Sequence, residues 1–162
     1  MENTSNMADN NTFKKILIPL DGSKMSDKAF KYALLIAKNF GAELALLTVI
    51  PEKIADAAVY RVGTHRSLIK NYIKMMNALA RQQATDLLDK RVVECEKENV
   101  KTSYKVLQGD AASEIITAGK KMRIDMIVIG SVGLTGIKKL KALGSVSRKI
   151  SELSGCPVLI VR

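Results

Sequence analysis

Five short runs of mainly apolar residues recur along the chain and predict β-strands. They are KILIPL (15–20), ELALLTVI (43–50), TSYKVL (102–107), DMIVIG (125–130) and PVLIVR (157–162). Most are apolar at nearly every position, a pattern typical of strands that are covered on both faces of a parallel sheet. The third run alternates in part between apolar and polar residues, which indicates a strand at the edge of the sheet.

The segments between these runs have the apolar periodicity of helices. The first helical segment follows Ser23 and Ser26, either of which can cap a helix, and Gly41 can end it. A third segment begins after Asp110, another good cap, and a fourth is predicted from near Gly144 to Leu153. The apolar stripe of the first segment consists of Ala29, Tyr32, Ala33, Ile36 and Ala37.

The second helical segment is much longer, from about Arg66 to Glu98. Its apolar residues recur in steps of three and four, and we expect this stripe to cover the sheet. The connection before it, from Pro51 to His65, is long for a compact domain and is therefore a candidate mobile segment. The stripe consists of Leu68, Tyr72, Met76, Leu79, Ala80, Ala84, Leu88, Val92 and Cys95.

Strands and helices thus alternate from one end of the chain to the other, which predicts an α/β fold with a doubly wound parallel sheet. Ligands of such sheets bind beyond the carboxyl ends of the strands, where the strand order reverses. This rule selects the segments that follow the first and fourth strands, PLDGS (19–23) and IGSVG (129–133).

Length and composition fit one domain, residues 13–162, in a chain of 162 residues. The polar residues 1–12 predict a disordered leader without the features of a signal peptide, so we expect a cytoplasmic protein. Cys95 and Cys156 are too few for a disulfide framework. The chain also lacks an apolar run of the length that a membrane-spanning helix needs.

A net charge of +10 favours anionic partners such as nucleotides, nucleic acids or acidic surfaces. Many of the lysines are equally explained as solvated residues on helix faces. Aromatic residues make up only 4% of the chain and tryptophan is absent. Proteins that bind single-stranded nucleic acid usually stack bases on aromatic side chains, so that class of function is disfavoured.

The glycine-rich segment 130–145, GSVGLTGIKKLKALGS, follows the fourth strand directly. Glycines allow positive φ angles and close approach of a ligand, and the N-terminus of the next helix attracts anions. Three lysines, at 138, 139 and 141, add positive charge. The alternative is a strand-to-helix turn in which Ser145 caps the helix. Asp21 likewise is either a ligand acceptor or a turn residue of the DGS sequence.

Two long segments resemble the universal stress protein family. KILIPLDGSKMSDKAFKYALLIAKNFGAELALLTVI (15–50) is similar to the start of its domain, and DMIVIGSVGLTGIKKLKALGSVSRKISELSGCPVLIVR (125–162) to its end. Gly130, Gly133 and the pair Gly144-Ser145 match the glycine pattern of the nucleotide-binding members. The ten residues between Gly133 and Gly144 are one more than that pattern has, so either the loop bulges or its register changes.

The resemblance implies a flavodoxin-like or Rossmann-like fold of the adenine nucleotide alpha hydrolase-like type, with strand order 3-2-1-4-5. It further implies a dimer and bound ATP, with Mg²⁺ or Mn²⁺ as candidate companion ions. Asp21 should face the adenosine part of the nucleotide, and Val49 should pack on adenine. Val132 stands where some members have a polar side chain. The implied binding residues are Pro19, Leu20, Asp21, Val49, Ile129, Gly130, Val132, Gly133, Gly144, Ser145, Val146 and Ser147.

Signals of catalysis are sparse, so we expect a binding protein and not a turnover enzyme. His65 is the only histidine, and no Cys/His cluster has the spacing of metal ligands. Ser67 and Lys70 have an S-x-x-K spacing, but the partner motifs of acyl-transfer enzymes are missing. The glycine-rich segment is not a Walker loop, because no Gly-Lys-Ser/Thr sequence follows it.

The sequence therefore predicts an ATP-binding protein that senses or regulates the stress response, with the nucleotide at the ends of the first and fourth strands. The alternatives are a dimeric interaction module that binds no nucleotide, a slow ATP-hydrolysing enzyme, and a nucleic-acid binder. The apolar strand 157–162 is a candidate edge strand, which pairing with a second subunit would protect. We accordingly expect a homodimer through this strand.

Overall fold

The structure is a computed structural model, and it describes residues 13–52, 66–134 and 143–162. The predicted leader, residues 1–12, and the connection 53–65 lie outside these ranges, as do the three lysines of the glycine-rich segment. Strands and helices alternate in the described ranges as the sequence predicts. They are β1 (Lys15–Pro19), α1 (Lys24–Phe40), β2 (Glu43–Ile50), α2 (Arg66–Lys97), β3 (Thr102–Gln108), α3 (Ala111–Lys121), β4 (Met126–Gly130), α4 (Ser145–Leu153) and β5 (Val158–Val161).

The five strands form one parallel sheet in the order β3-β2-β1-β4-β5. This is the predicted order, and β3 lies at one edge as its partly alternating sequence indicates. β1 occupies the centre and pairs with β2 through Ile16 and Leu44, and with β4 through Ile16 and Met126. Because the chain moves from β1 outwards to β3 and then back across to β4, the strand order reverses between the carboxyl ends of β1 and β4.

The helices divide between the two faces of the sheet and bury a separate apolar core on each face. On one face, α1 and α2 pack on Ile16, Ile18 and their neighbours. On the other face, α3 and α4 pack on Leu17, Ile127 and Ile129. Burial on both faces explains why the central strands are apolar at nearly every position. No helix in the described ranges is both long and apolar enough to cross a membrane.

Helix α1 begins and ends at the predicted residues, but its buried face differs in part from the predicted one. The hydroxyl oxygen of Ser23 accepts a hydrogen bond from Ser26 N, and Gly41 ends the helix with a φ of 67°. The prediction that Tyr32 is part of the buried stripe is wrong, since this residue is 47% exposed. Phe30 is fully buried instead, within the core under α1 and α2, and the guanidinium carbon of Arg91 from α2 lies 5.0 Å from the centre of its ring.

Helix α2 covers the sheet only with its C-terminal half. Ala84, Leu88 and Cys95 are buried there. The expectation that the whole stripe covers the sheet is wrong, because a helix of 32 residues is about 48 Å long whereas the eight residues of β2 span about 26 Å. Four apolar side chains in the N-terminal half are between 51% and 66% exposed: Leu68, Tyr72, Met75 and Leu79.

Candidate functional site

A cavity of about 690 Å³ lies at the carboxyl ends of β1, β2 and β4, where the strand order reverses. Its volume is in the range of pockets that hold small molecules and cofactors. We call it the strand-end cavity. Every binding residue that the sequence predicted lines it: Pro19, Leu20, Asp21, Val49, Ile129, Gly130, Val132, Gly133, Gly144, Ser145, Val146 and Ser147.

Asp21 joins the two loops that border the strand-end cavity. Its Oδ1 accepts a hydrogen bond from Ser23 N at 2.9 Å, which shapes the turn into α1. Its Oδ2 accepts one from Leu134 N at 3.2 Å, which holds the loop after β4. Each carboxylate oxygen has a second lone pair, so Asp21 can still accept a hydrogen bond from a ligand hydroxyl or amino group.

Two glycines are required here because the backbone is crowded by protein atoms. A Cβ at Gly133 would lie 2.6 Å from Asp21 Oδ2, so a side chain would displace this carboxylate. A Cβ at Gly130 would lie 2.6 Å from the carbonyl carbon of Met25 and 2.8 Å from Ser26 N, at the start of α1. The close approach at Gly130 is thus between β4 and α1, whereas the sequence had indicated an approach by a ligand.

Positive φ angles do not account for Gly130, Gly133 or Gly144, contrary to the sequence interpretation. In the described ranges, the glycines with positive φ are Gly22, Gly41 and Gly109. Gly144 has a φ of −61° and serves as the N-cap of α4. A Cβ there would lie 3.3 Å from Ser131 O, so Gly144 too is constrained by close packing.

The N-terminus of α4 opens into the strand-end cavity and has the features of an anion site. Gly144 N donates to Ser131 O at 2.8 Å, and no side chain of the described residues caps the helix. The first-turn N–H groups of Ser145, Val146 and Ser147 therefore have no capping oxygen. Such groups and the helix dipole together attract phosphate.

The hydroxyl of Ser147 does not contribute to this anion site. It is buried, and its single proton is shared between Ser131 O at 2.8 Å and Gly144 O at 3.0 Å. A hydroxyl has one proton to donate, so Ser147, which the resemblance placed among the binding residues, offers no hydroxyl proton to a phosphate. Ser145 is exposed, and its hydroxyl stays available to a ligand.

The outer wall of the cavity belongs to α2 and was not predicted from the sequence. Ala80 and Ala84 had been assigned to the stripe over the sheet, and nothing in the periodicity distinguishes a residue over the sheet from one over its end. Ala111 and Ile115 of α3 also reach the cavity. The contributing residues of α2 are Ala80, Gln83, Ala84 and Leu87, at the spacing of one helix face.

The wall formed by the described residues is mainly apolar and contains one charged side chain, Asp21. Lys138, Lys139 and Lys141 lie outside the described ranges. Within those ranges, no group of three histidine, cysteine or acidic residues is placed to hold a metal ion. The described wall therefore offers an apolar surface, one carboxylate and a helix N-terminus.

Asp110 links the two helices on the α3 side of the cavity. Its carboxylate accepts hydrogen bonds from the hydroxyl and the amide of Ser113, and from Lys149 Nζ of α4 at 3.0 Å. These bonds to the charged form lower the pKa of Asp110 from 3.8 to about 2, with the Ser113 hydroxyl as the largest cause. The N-cap of α3 is thereby tied to α4, which presents the anion site.

Comparison with known proteins gives one family. A sequence model described as "Universal stress protein family" matches residues 12–162. Universal stress protein YxiE of Bacillus subtilis is 37% identical, over 93% of this chain and 99% of the relative. Universal stress protein MJ0531 of Methanocaldococcus jannaschii is 34% identical, over 94% of this chain and 84% of the relative. The solved structure of UspA from Lactobacillus plantarum superimposes with a TM-score of 0.78 at 22% identity, covering 94% of this chain and all of that one.

Three other solved structures of the same fold are described with a bound adenine nucleotide. A universal stress protein of Arabidopsis thaliana holds AMP (TM-score 0.64, 19% identity, 91% of this chain and 90% of that one). One of Archaeoglobus fulgidus is in complex with dAMP (TM-score 0.61, 17% identity, 94% and 100%). A third is in complex with cAMP (TM-score 0.62, 21% identity, 94% and 98%). At these identities the likeness shows a common fold.

Proposed function

Since the chain belongs to the universal stress protein family, we propose that it binds an adenine nucleotide, specifically ATP, in the strand-end cavity and regulates a stress response according to the nucleotide it holds. The observation that carries this proposal is the convergence of three features on one cavity. They are an apolar wall, the Asp21 carboxylate and the uncapped N-terminus of α4. The adenine nucleotides held by three proteins of the same fold support it.

Each feature suits one part of a nucleotide. Val49, half-buried at the end of β2, offers an apolar surface to the base. Asp21 can accept a hydrogen bond from a ribose hydroxyl, and the amides of Ser145 and Val146 can donate to phosphate oxygens. With ATP, Mg²⁺ or Mn²⁺ would neutralise part of the phosphate charge.

The proposed role is binding without rapid turnover. In the described ranges Asp21 is the one carboxylate on the cavity wall, and the proposed role assigns its remaining acceptor capacity to the ribose. A general base must be free to take a proton from the attacking water. The bound nucleotide would then act as a long-lived signal in the cytoplasm, read by a partner protein.

The direct test is to denature freshly purified protein and identify the released nucleotide by mass spectrometry. ATP or ADP in near-stoichiometric amount supports the proposal. If none is released, calorimetric titration with ATP and Mg²⁺ follows, and failure to bind at millimolar ATP overturns it. An intact dimer that binds no nucleotide would favour the interaction module, whereas salt-sensitive binding to duplex DNA, unaffected by ATP, would favour the nucleic-acid binder.

The proposal includes a homodimer through β5. This strand lies at the edge of the sheet and pairs with β4 on one side. Val158 and Ile160 pack against the core of the α3 and α4 face, whereas Leu159 is 37% exposed. Leu159→Lys therefore tests the interface without placing a charge in that core. Light scattering should give the mass of a monomer, and an unchanged dimer mass with an intact fold would refute this interface.

A further inference from the structure

Most polar side chains on the wall of the strand-end cavity already have partners within the protein. The hydroxyl of Ser26 donates to Ser23 O at 2.9 Å, and that of Thr48 donates to Leu20 O at 3.0 Å. Among the described residues of the wall, two polar side chains have no hydrogen bond to another described residue, Gln83 and Ser145. Those already engaged are Asp21, Ser23, Ser26, Thr48 and Ser147.

Gln83 and Ser145 lie at opposite ends of the cavity. Ser145 begins α4, which follows β4, and so belongs to the anion site. Gln83 belongs to α2, which packs over β2 and β3 on the other side of β1. A Cβ at Gly22, next to Asp21, would lie 3.9 Å from Leu87 Cδ2, so this face of α2 borders the turn after β1. Gln83 stands one helical turn before Leu87 on the same face.

The neighbours of Gln83 leave its carboxamide room to reach a ligand. Ala80 and Ala84 flank it on the cavity face of α2. Both have the smallest side chain after glycine, and Gln83 itself is exposed. The other residues at this end of the cavity, such as Val49, Ile50 and Pro51, have no side-chain hydrogen-bonding group. Among the described residues at this end, the carboxamide of Gln83 is therefore the hydrogen-bonding side chain that has no bond to another described residue.

We infer that Gln83 is the residue that recognises the base, by donating to a ring nitrogen of adenine and accepting from its 6-amino group. This inference rests on the proposed function. A carboxamide matches that donor and acceptor pair in a bidentate arrangement. Guanine presents two acceptors, O6 and N7, at the corresponding edge and would lose one of the two bonds. Gln83 thereby selects adenine, while the phosphates are held at the other end.

The test compares Gln83→Met with the matched control Gln82→Met by calorimetric titration. Methionine keeps the length of the side chain and removes its hydrogen bonds. Gln82 lies outside the cavity, where its Nε2 donates to Asp86 Oδ1 at 2.8 Å. Each protein is titrated with ATP, with AMP and with purine riboside 5′-triphosphate. This analogue is ATP without the 6-amino group of the base.

Wild-type protein and Gln82→Met should bind ATP about tenfold more tightly than the analogue. Gln83→Met should bind ATP about tenfold more weakly and should no longer distinguish the two ligands. The ratio between ATP and AMP affinities should stay the same in all three proteins. The inference is overturned if wild type does not prefer ATP to the analogue, or if Gln83→Met keeps the preference.

The same titrations distinguish failure of the proposed nucleotide binding from failure of the role assigned to Gln83. If wild type binds neither ATP nor AMP, the proposed function and this inference fall together. If wild type binds ATP with the same affinity as Gln83→Met, the proposed function stands and only the role of Gln83 is refuted. Thermal unfolding of each variant verifies the fold, which we expect to be unchanged because Gln83 and Gln82 are both exposed.

Discussion

The carboxylate of Asp21 and the backbone amide of Leu134 form a hydrogen bond of 3.2 Å between loops that are 113 positions apart in the chain. We expect Asp21→Ala to weaken the binding of both ATP and adenosine by about tenfold, because it removes this link and the acceptor for the ligand. Asp86→Ala removes an exposed carboxylate of α2 and serves as the control. Equal adenosine affinity in wild type and Asp21→Ala would contradict the assigned role.

Gly130 should be essential for the fold itself. In Gly130→Ala the new Cβ would overlap the backbone of Met25, and we expect the free energy of unfolding to fall by about 2 kcal/mol. Gly155→Ala is the matched control, since a Cβ there meets no atom within 4 Å, and it should change stability by less than about 0.5 kcal/mol. Urea denaturation measures both. Similar midpoints for the two variants would show that β4 and α1 do not pack as described.

A negative charge at the start of α4 should weaken the binding of the phosphates without affecting the binding of the base. Ser145→Glu places a carboxylate in the first turn, where it stabilises the helix but repels phosphate. We expect ATP to bind about tenfold more weakly, while adenosine affinity stays unchanged. Thr117→Glu adds the same charge at an exposed position of α3 outside the cavity. An equal loss of ATP affinity in both variants would indicate a general charge effect rather than a local site.

The Asp110 carboxylate, which accepts hydrogen bonds from Ser113 and pairs with Lys149, makes stability depend on pH in acid. The pKa of Asp110 in the folded protein, about 2, lies below its ordinary value of 3.8. The stabilisation of the fold by the ionised carboxylate is therefore complete above pH 3.8 and is lost as the pH falls towards 2. Asp110→Asn keeps a capping side chain but removes the charge. The melting temperatures of wild type and variant should therefore differ most near neutral pH and converge in acid.

NMR titration of the Asp110 carboxyl group measures its pKa and so tests the contact with Lys149 independently of stability. Lys149→Met should raise the pKa of Asp110 towards 3.8 without restoring it fully, because the Ser113 hydroxyl is the larger cause of the shift. An unchanged pKa in the lysine variant would mean that Lys149 Nζ does not contact the carboxylate in solution.

Local patterns were sufficient to predict the strands and the sheet. The central strands are apolar on both faces, so their positions follow from the apolar runs and their parallel arrangement from the alternation with helices, and the resemblance supplied the strand order. The predicted binding residues gathered around one cavity because the carboxyl ends of adjacent parallel strands necessarily meet. Asp21 and Gly133 are 112 positions apart, but both follow directly on such strand ends.

The remaining features depend on how elements pack, and this information is absent from local patterns. Gly130 is a glycine because α1 begins against it, a relation between residues about 100 positions apart that no short motif records. Gln83 was missed because the periodicity of α2 gives one apolar face but not the point at which the helix passes the end of the sheet. The same overhang explains why Leu68 and Tyr72 are exposed despite belonging to the predicted stripe.

The sheet separates two apolar cores, and the strand-end cavity is where residues of both faces meet. Leu87 packs against the core under α1 and α2, whereas Ile115 and Ile129 belong to the core under α3 and α4. A ligand in the cavity contacts residues of both layers at once. Local opening of either layer then requires loss of the ligand, so occupancy should slow amide hydrogen exchange on both sides of the sheet together. The bound molecule would thus couple the two layers in one cooperative unfolding unit.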